Sequence, residues 1–225
     1  MALAQWKDLC IDAVEPAAVG PFWASVLGRT WEPEADRIVG PTPAHTIWVN
    51  RVPEAKTVKH RVHLDVYARS LEDLDLLGSS PVPGWPDFPR WTVMADPEGG
   101  EYCAFLRTPL PAERLHGLVV DAADAAGQAR WWAALVGGTV TDNPEGYSTV
   151  AQVPGMPIAT LDFIPVPEAK QGKNRVHVDV LADALEPVLD AGATLLVGRG
   201  DDRRWDVVAD PEGNELCVFV RGRDT

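Results

Sequence analysis

Two rows of side chains could do chemistry, and they are copies of each other. Residues 61–66 read RVHLDV and residues 175–180 read RVHVDV. Alternate side chains of an extended chain share a face, so Arg61, His63 and Asp65 align on one side, as do Arg175, His177 and Asp179. An imidazole titrates near neutrality, and a carboxylate two residues away can assist it, so each row suits acid–base work. A second pair of rows follows: Glu101, Cys103 and Phe105 in EYCAFLR, and Glu215, Cys217 and Phe219 in ELCVFVR.

The acid–base candidates are therefore His63, Glu101, His177 and Glu215. The candidates for touching a small molecule are Arg61, Asp65, Trp48, Trp91, Cys103, Arg175, Asp179, Trp205 and Cys217. Each histidine has two readings, a ligand or base and a hydrogen-bonded member of a buried Arg-His-Asp network. Each of Cys103 and Cys217 is either a reactive thiol or a small buried apolar residue, and no sequence neighbour activates it. Trp91 and Trp205, each preceded by Arg, are stacking surfaces or core. Trp31, His45, Trp48, His60 and Trp85 lack counterparts in the other copy; they line an aromatic pocket or are scattered surface groups. His116 likewise has no obvious partner. There is no Ser-His-Asp order, glycine-rich phosphate loop or HExxH motif to support those chemistries.

The elements that position these rows also occur twice. RWTVMADPEGGEYCAFLR (90–107) returns as RWDVVADPEGNELCVFVR (204–221), and VPEAK (52–56) returns at 166–170 with the same offset. Residues 6–14 read as a strand. Val19, Phe22, Trp23, Val26 and Leu27 then form the stripe of a helix over 16–28, stopped by Gly28. The second copy has LVVDA (118–122), then a helix carrying Gln128, Trp131, Trp132, Leu135 and Val136, closed by Gly137. Short strands with turn residues fill 30–52, followed by a strand at 61–68 and a short helix at 70–78 capped by Ser70. A turn-rich segment (79–89) leads to strands 91–95 and 101–107, separated by an Asp-Pro-Glu-Gly turn that sets the register of the last strand. The second copy follows the same order, with Asp183 capping its short helix and Gly192 closing it. The expected domains are 1–108 and 115–225, each of two βαβββ modules with its own sheet, joined by a linker at 109–114.

Composition narrows the partners. A net charge of −13 repels phosphate backbones and anionic lipid, so neither nucleic acid nor membrane is expected. No apolar run is long enough to span a bilayer, and MALAQWKDLC has no secretory pattern. Three cysteines, an odd number without CxxC, point to reduced thiols in a cytoplasmic protein.

FWASVLG (22–28), RVHLDV and DPEGGEYCAFLR, in this order and duplicated, resemble the vicinal oxygen chelate superfamily, and within it the glyoxalase-like and bleomycin-resistance-like domains. The resemblance implies an α+β fold in which paired βαβββ modules curl around a cleft. It also implies a choice between metal-dependent isomerases, lyases or dioxygenases and metal-free binding proteins. The metal-dependent pattern needs ligands on the first, fourth, fifth and eighth strands. His63 and His177 match the fifth-strand histidine. Cys103 and Cys217 stand where the eighth-strand glutamate belongs. The first-strand position falls near Leu9 and Leu118, and on the fourth strand only Asp162 is a strong donor. A His–Cys pair alone is a poor zinc site. The expectation is a small-molecule binder, more specifically of an aromatic compound, with no cofactor and no intact metal site; a lyase, isomerase or dioxygenase-like enzyme is the alternative. The chain is expected as a monomer, its domains pairing internally, or as a homodimer.

Overall fold

The computed structural model describes residues 2–85, 88–201 and 203–222. Met1, Pro86 and Asp87 of the turn-rich segment, Asp202 and residues 223–225 lie outside them. The first module runs β1 (Ala4–Ala13), α1 (Pro16–Leu27), β2 (Thr30–Glu32), β3 (Arg37–Val39) and β4 (Ile47–Arg51). The second runs β5 (Val62–Ala68), α2 (Leu71–Asp75), β6 (Ser80–Pro81), β7 (Thr92–Ala95) and β8 (Glu101–Leu106). The third runs β9 (Leu115–Ala122), α3 (Ala125–Val136), β10 (Thr139–Asp142), β11 (Ser148–Ala151) and β12 (Thr160–Pro165). The fourth runs β13 (Val176–Ala182), α4 (Glu186–Asp190), β14 (Thr194–Val197), β15 (Asp206–Ala209) and β16 (Glu215–Val220). The fold is α+β: two eight-stranded mixed sheets and few helices.

The sheets are not the repeats. The first has the order β14-β15-β16-β13-β1-β4-β3-β2 and the second β10-β11-β12-β9-β5-β8-β7-β6. Each sheet thus joins one module from each repeat across a central antiparallel seam, β1 with β13 and β5 with β9. The expectation that each repeat closes its own sheet is overturned. β5 and β13 have the same alternation, so local sequence supports either partner for β1. The extended crossovers at 52–61 and 166–175 decide, because they carry the chain from one sheet to the other.

Alternation within the strands divides the faces as expected. Val62, Leu64 and Val66 are buried in one continuous apolar core, as are Val176, Val178 and Val180. Fully burying each such side chain stabilises the fold by roughly 1.5–3 kcal/mol. The core includes α1 and α3, and each helix touches both sheets. Trp23 of α1 lies 5.0 Å from the ring of Tyr102 in the second sheet. Trp132 of α3 donates its indole N–H, at 3.2 Å, to Asp210 in the first.

The Asp-Pro-Glu-Gly turns make the reciprocal joint. Asp96 Oδ1 accepts from the backbone N–H of Glu98 and Gly100, at 2.9 and 2.7 Å, which closes the turn. Gly99 follows with φ +78°, a conformation that suits glycine. Trp23 Nε1 donates to Asp96 Oδ2 at 3.4 Å. Glu98 then reaches α1, whose own N-cap residue, Glu15, makes no side-chain cap. Its carboxylate accepts from Val14 N at 3.0 Å and Glu15 N at 2.7 Å. Glu212 does the same for α3, accepting from Ala123 N and Asp124 N, both at 2.7 Å. The turn therefore does more than set register: an anion from one sheet satisfies the positive end of the helix carried by the other.

Ser70 caps α2 as expected, accepting from Asp73 N at 3.1 Å. Asp183 does not cap α4; Leu185 occupies that position and Asp183 pairs with Arg221 at 3.3 Å. It lies two residues too early for its carboxylate to meet the first helical N–H groups. The linker is docked rather than free. Arg114 donates to the Ser25 and Val26 carbonyls at the end of α1, and Glu113 accepts from Arg29 at 2.9 Å.

Glu98→Ala removes two charge-assisted bonds at the start of α1. It should destabilise the chain by about 1–2 kcal/mol, measured as a lower urea midpoint with unchanged m-value. Glu212→Ala should lose less, because Asp124 also caps α3 by accepting from Gly127 N.

Candidate functional site

The face of each sheet opposite the core carries the polar rows. Among the described residues no helix packs on this face, yet Asp65, His177 and Asp179 on it are buried. A sheet that curls over its own inner face gives this result, and two β-bulges re-aim side chains onto it. The β1–β13 register shifts between Trp6 and Asp8, and the β5–β9 register shifts where Leu115 and Gly117 flank His116. An extra residue in one strand re-aims its side chain, so Lys7 and His116 join the inner faces at equivalent places.

In the second sheet, His63 Nε2 lies 3.5 Å from Cys103 Sγ and 3.6 Å from Asp65 Oδ1. Asp65 Oδ1 is buried and has no hydrogen-bond partner. Beyond it, Asp162 accepts from the hydroxyls of Thr149 and Thr160, both at 2.6 Å. Gly117 stands opposite Asp65 and leaves room: a Cβ there would lie 3.2 Å from the Asp65 Cβ. Burial, then the neighbouring Asp162, raises the Asp65 carboxyl to about 8. Burial, then Lys59 and His60, lowers His63 to about 3. Burial, then Asp65, pushes the Cys103 thiol up. His63 and Asp65 thus lie close to each other, and burial disfavours the charged form of all three groups.

Above this floor the rings are continuous. Tyr67 stacks on His116 at 4.3 Å, and His116 meets Phe105 edge-on at 4.7 Å. Phe105 lies 5.7 Å from Trp91, and Trp91 stacks on Phe88 at 4.6 Å. Trp85, 39% exposed, ends the row 6.5 Å from Phe88, with the Lys59 ammonium 5.3 Å over its ring.

The first sheet is built differently on the same template. Cys10, His177 and Asp179 cluster on its floor, with Cys217 in register beside Asp179. Its second carboxylate is Asp8, from the strand that carries Gly117 in the other sheet. Trp48 occupies the place of Asp162 and donates to Asp8 Oδ2 at 3.0 Å. Lys7 donates to the same oxygen at 2.8 Å, stands 3.8 Å from Asp179 Oδ2 and lies 4.2 Å over Phe219. Burial and the Asp8 carboxylate raise Asp179, and burial lowers His177.

The structure brings His63, Asp65 and Cys103 together, and Trp91 onto their ring wall. Trp205 lies 5.4 Å from Phe219 in the first sheet. Glu101 and Glu215 do not join their histidines. Glu101 accepts from Lys56 Nζ at 2.8 Å and His60 N at 3.0 Å, and Glu215 from Lys170 Nζ at 2.7 Å and Asn174 N at 3.1 Å. Arg61 and Arg175 also turn away from the rows. They donate to the Glu168 and Glu54 carbonyls, both at 2.6 Å, and line a cavity of about 380 Å³ between the crossovers. That cavity does not lie over either floor. Its lysines are already matched, Lys59 with Asp121 and Lys173 with Asp12.

The five unmatched aromatic and imidazole groups do not line one pocket. Trp31 packs against Gly20 of α1, where a Cβ would collide with its ring. His45 bonds Thr42 and faces Glu113, and His60 sits beside Glu101. Trp48 lies on β4 of the first sheet, and Trp85 on the loop between β6 and β7 of the second. Lys7, Asp8, Cys10, Tyr67, Phe88 and His116 complete the two faces, and motif spacing did not single them out as site residues. Leu9 and Leu118, near which the resemblance sets the first-strand ligand, are buried in the apolar core.

Three donors in each sheet lie within 4.8 Å of one another: His63, Asp65 and Cys103, and Cys10, His177 and Asp179. The expected His–Cys pair thus gains a carboxylate. Separations of 3.5 and 3.6 Å in the second sheet match the ~3.3–3.7 Å expected between ligands around tetrahedral zinc, given bonds of ~2.0–2.3 Å.

Comparison with known proteins identifies the family and the fold. A family model described as "Glyoxalase-like domain" matches twice, at residues 8–105 and 117–219. The fold is similar to crystal structures of glyoxalase I from Zea mays. The wild-type match has TM-score 0.66 and 12% identity, covering 98% of this chain and 93% of that one; a variant of the same protein gives 0.64, 12%, 98% and 95%. A dioxygenase-like protein of Bacillus subtilis subsp. subtilis str. 168 is similar at TM-score 0.56 and 12% identity, covering 99% and 87%. No curated protein matches the sequence. Among the described residues no helix is long and apolar enough to cross a membrane.

The raised Asp65 carboxyl has a consequence for stability. Its unfolded value is near 3.8 and its folded value about 8, so between these the folded chain binds more protons. Stability contributed at low pH is therefore lost as pH rises through this window. Urea unfolding from pH 6 to 9 should show falling stability, and Asp65→Asn should flatten the fall.

Proposed function

The chain belongs to the glyoxalase-like domain family, within the vicinal oxygen chelate superfamily, and from that premise we propose that it binds a small, neutral aromatic molecule on the inner face of its second sheet. The observation that supports this is the ring row Tyr67–His116–Phe105–Trp91–Phe88 above a polar floor in which burial disfavours charge. Rings offer stacking area, and a few convergent polar atoms fix orientation, which is the usual composition of a small-molecule site. Asp65 Oδ1, buried and unpartnered, is the atom a ligand's hydrogen-bonding group would satisfy. A charged ligand would leave its charge uncompensated over His63, Asp65 and Cys103.

A second reading rests on the three-donor floor. His63, Asp65 and Cys103 would hold a divalent ion, which would supply a Lewis-acid centre of the kind metal-dependent lyases and isomerases use. In that reading the rings orient the substrate and exclude water, and the acid–base work falls to groups at the rim. Elemental analysis of the purified protein separates the two. Zinc, cobalt or nickel in stoichiometric amount, lost in His63→Ala, supports the enzyme; metal-free protein that still binds ligand supports the binding protein.

The first reading is tested by a thermal-shift panel of neutral aromatic alcohols and ketones, with the best binder titrated by tryptophan fluorescence. Trp91→Ala should weaken its binding about 2- to 12-fold, the equivalent of about 0.5–1.5 kcal/mol of ring contact. Trp205→Ala, in the other sheet, should leave affinity unchanged. A panel without binders, or equal effects of the two substitutions, would overturn the reading.

A further inference from the structure

Position 7 and position 116 are the same place in the two sheets, the bulge residue that re-aims onto the inner face. They carry different chemistry. His116 stacks into the ring row, and its neighbour Gly117 offers no carboxylate. Lys7 instead enters a space bounded by two carboxylates and a ring. It donates to Asp8 Oδ2 at 2.8 Å, stands 3.8 Å from Asp179 Oδ2 and lies 4.2 Å over the Phe219 ring. The side chains of Asp8 and Asp179 are only 8% and 6% exposed. Each also presents a buried Oδ1 that has no hydrogen-bond partner.

Two buried carboxylates placed opposite each other repel unless a cation stands between them. An aromatic face beside them strengthens the preference for a cation. Here Trp48 donates to Asp8 Oδ2 at 3.0 Å, and the Lys7 ammonium reaches the same oxygen. We propose that the inner face of the first sheet is a binding site for a primary alkylammonium group, bounded by Asp8, Asp179 and Phe219, and that its occupant in the folded chain is Lys7. The side chain acts as a tethered ligand. Its effective concentration is far above that of any free amine, so the site is filled in cis.

Lys7→Ala removes the ammonium and its stem and leaves a gap of the size of n-propylammonium. The variant should lose about 2–6 °C in Tm, the range expected for losing one partly buried ion contact in a chain of this size. n-Propylammonium chloride in the tens of millimolar should restore at least half of that loss, while the wild type responds no more than it does to NaCl of equal ionic strength. Equal recovery with NaCl or with 1-propanol, or no loss on substitution, would overturn the proposal. Should Lys7→Ala fail to fold, Lys7→Met keeps the stem over Phe219 and removes only the charge. Its Tm loss should shrink to less than half in an Asp8→Asn background; equal losses in the two backgrounds would also overturn it. Neither test involves the aromatic ligand of the second sheet.

Discussion

The glutamate of each Asp-Pro-Glu-Gly turn holds the molecule's two sheets to each other's helices. Glu98 grips the start of α1 and Glu212 the start of α3, each across the sheet boundary. The aspartate in the same turn accepts an indole N–H from that helix, at Trp23 or Trp132. Burial raises Asp96, opposed by the N–H bonds it accepts from the turn and the indole. The turn also starts β8 or β16, the strand that aims Cys103 or Cys217. One short motif therefore fixes helix position, sheet-to-sheet contact and the floor of the site together.

The two inner faces use one template with different charge arrangements. The carboxylate after the histidine is kept in both, as Asp65 and Asp179. The second carboxylate comes from β12 in one sheet, as Asp162, and from β1 in the other, as Asp8. Two serine-like hydroxyls, those of Thr149 and Thr160, satisfy Asp162, whereas an ammonium and an indole satisfy Asp8. Buried acids must be hydrogen-bonded or neutralised, and these are two solutions to that requirement. The hydroxyl solution leaves the ring row clear; the ammonium solution occupies the space itself.

Much of the fold could be read from the residues. Constant offsets between copies revealed the duplication, and alternation in RVHLDV divided core from inner face. The apolar stripe of α1 and the stop at Gly28 followed from spacing. Sheet partnership could not be read, because β5 and β13 present the same alternation to β1. The site was legible only where a motif repeated it: His63, Asp65 and Cys103 converge, while Glu101 and Arg61 share their face by spacing and are drawn off by Lys56 and by backbone carbonyls. Lys7 was not singled out and His116 was not placed on the inner face, because a bulge, which no alternation rule anticipates, turns them inward.

The pairing of modules also orders the chain's assembly in time. Residues 62–165 contain every strand of the second sheet, so that sheet is complete before the last module has been synthesised. The first sheet joins residues 4–51 to residues 176–220, with Ala4 paired to Ala182. Contacts so far apart in sequence close slowly, and domains form in the order in which they leave the ribosome. β1 and β4 must therefore wait as an unfinished half-sheet while the second sheet folds between them and their partners. An unpaired strand edge invites pairing with other chains, and inward-pointing charges are a known defence. Lys7, Asp8 and Asp12 lie on that waiting strand, so the charges that later fill the first face would also guard the nascent chain.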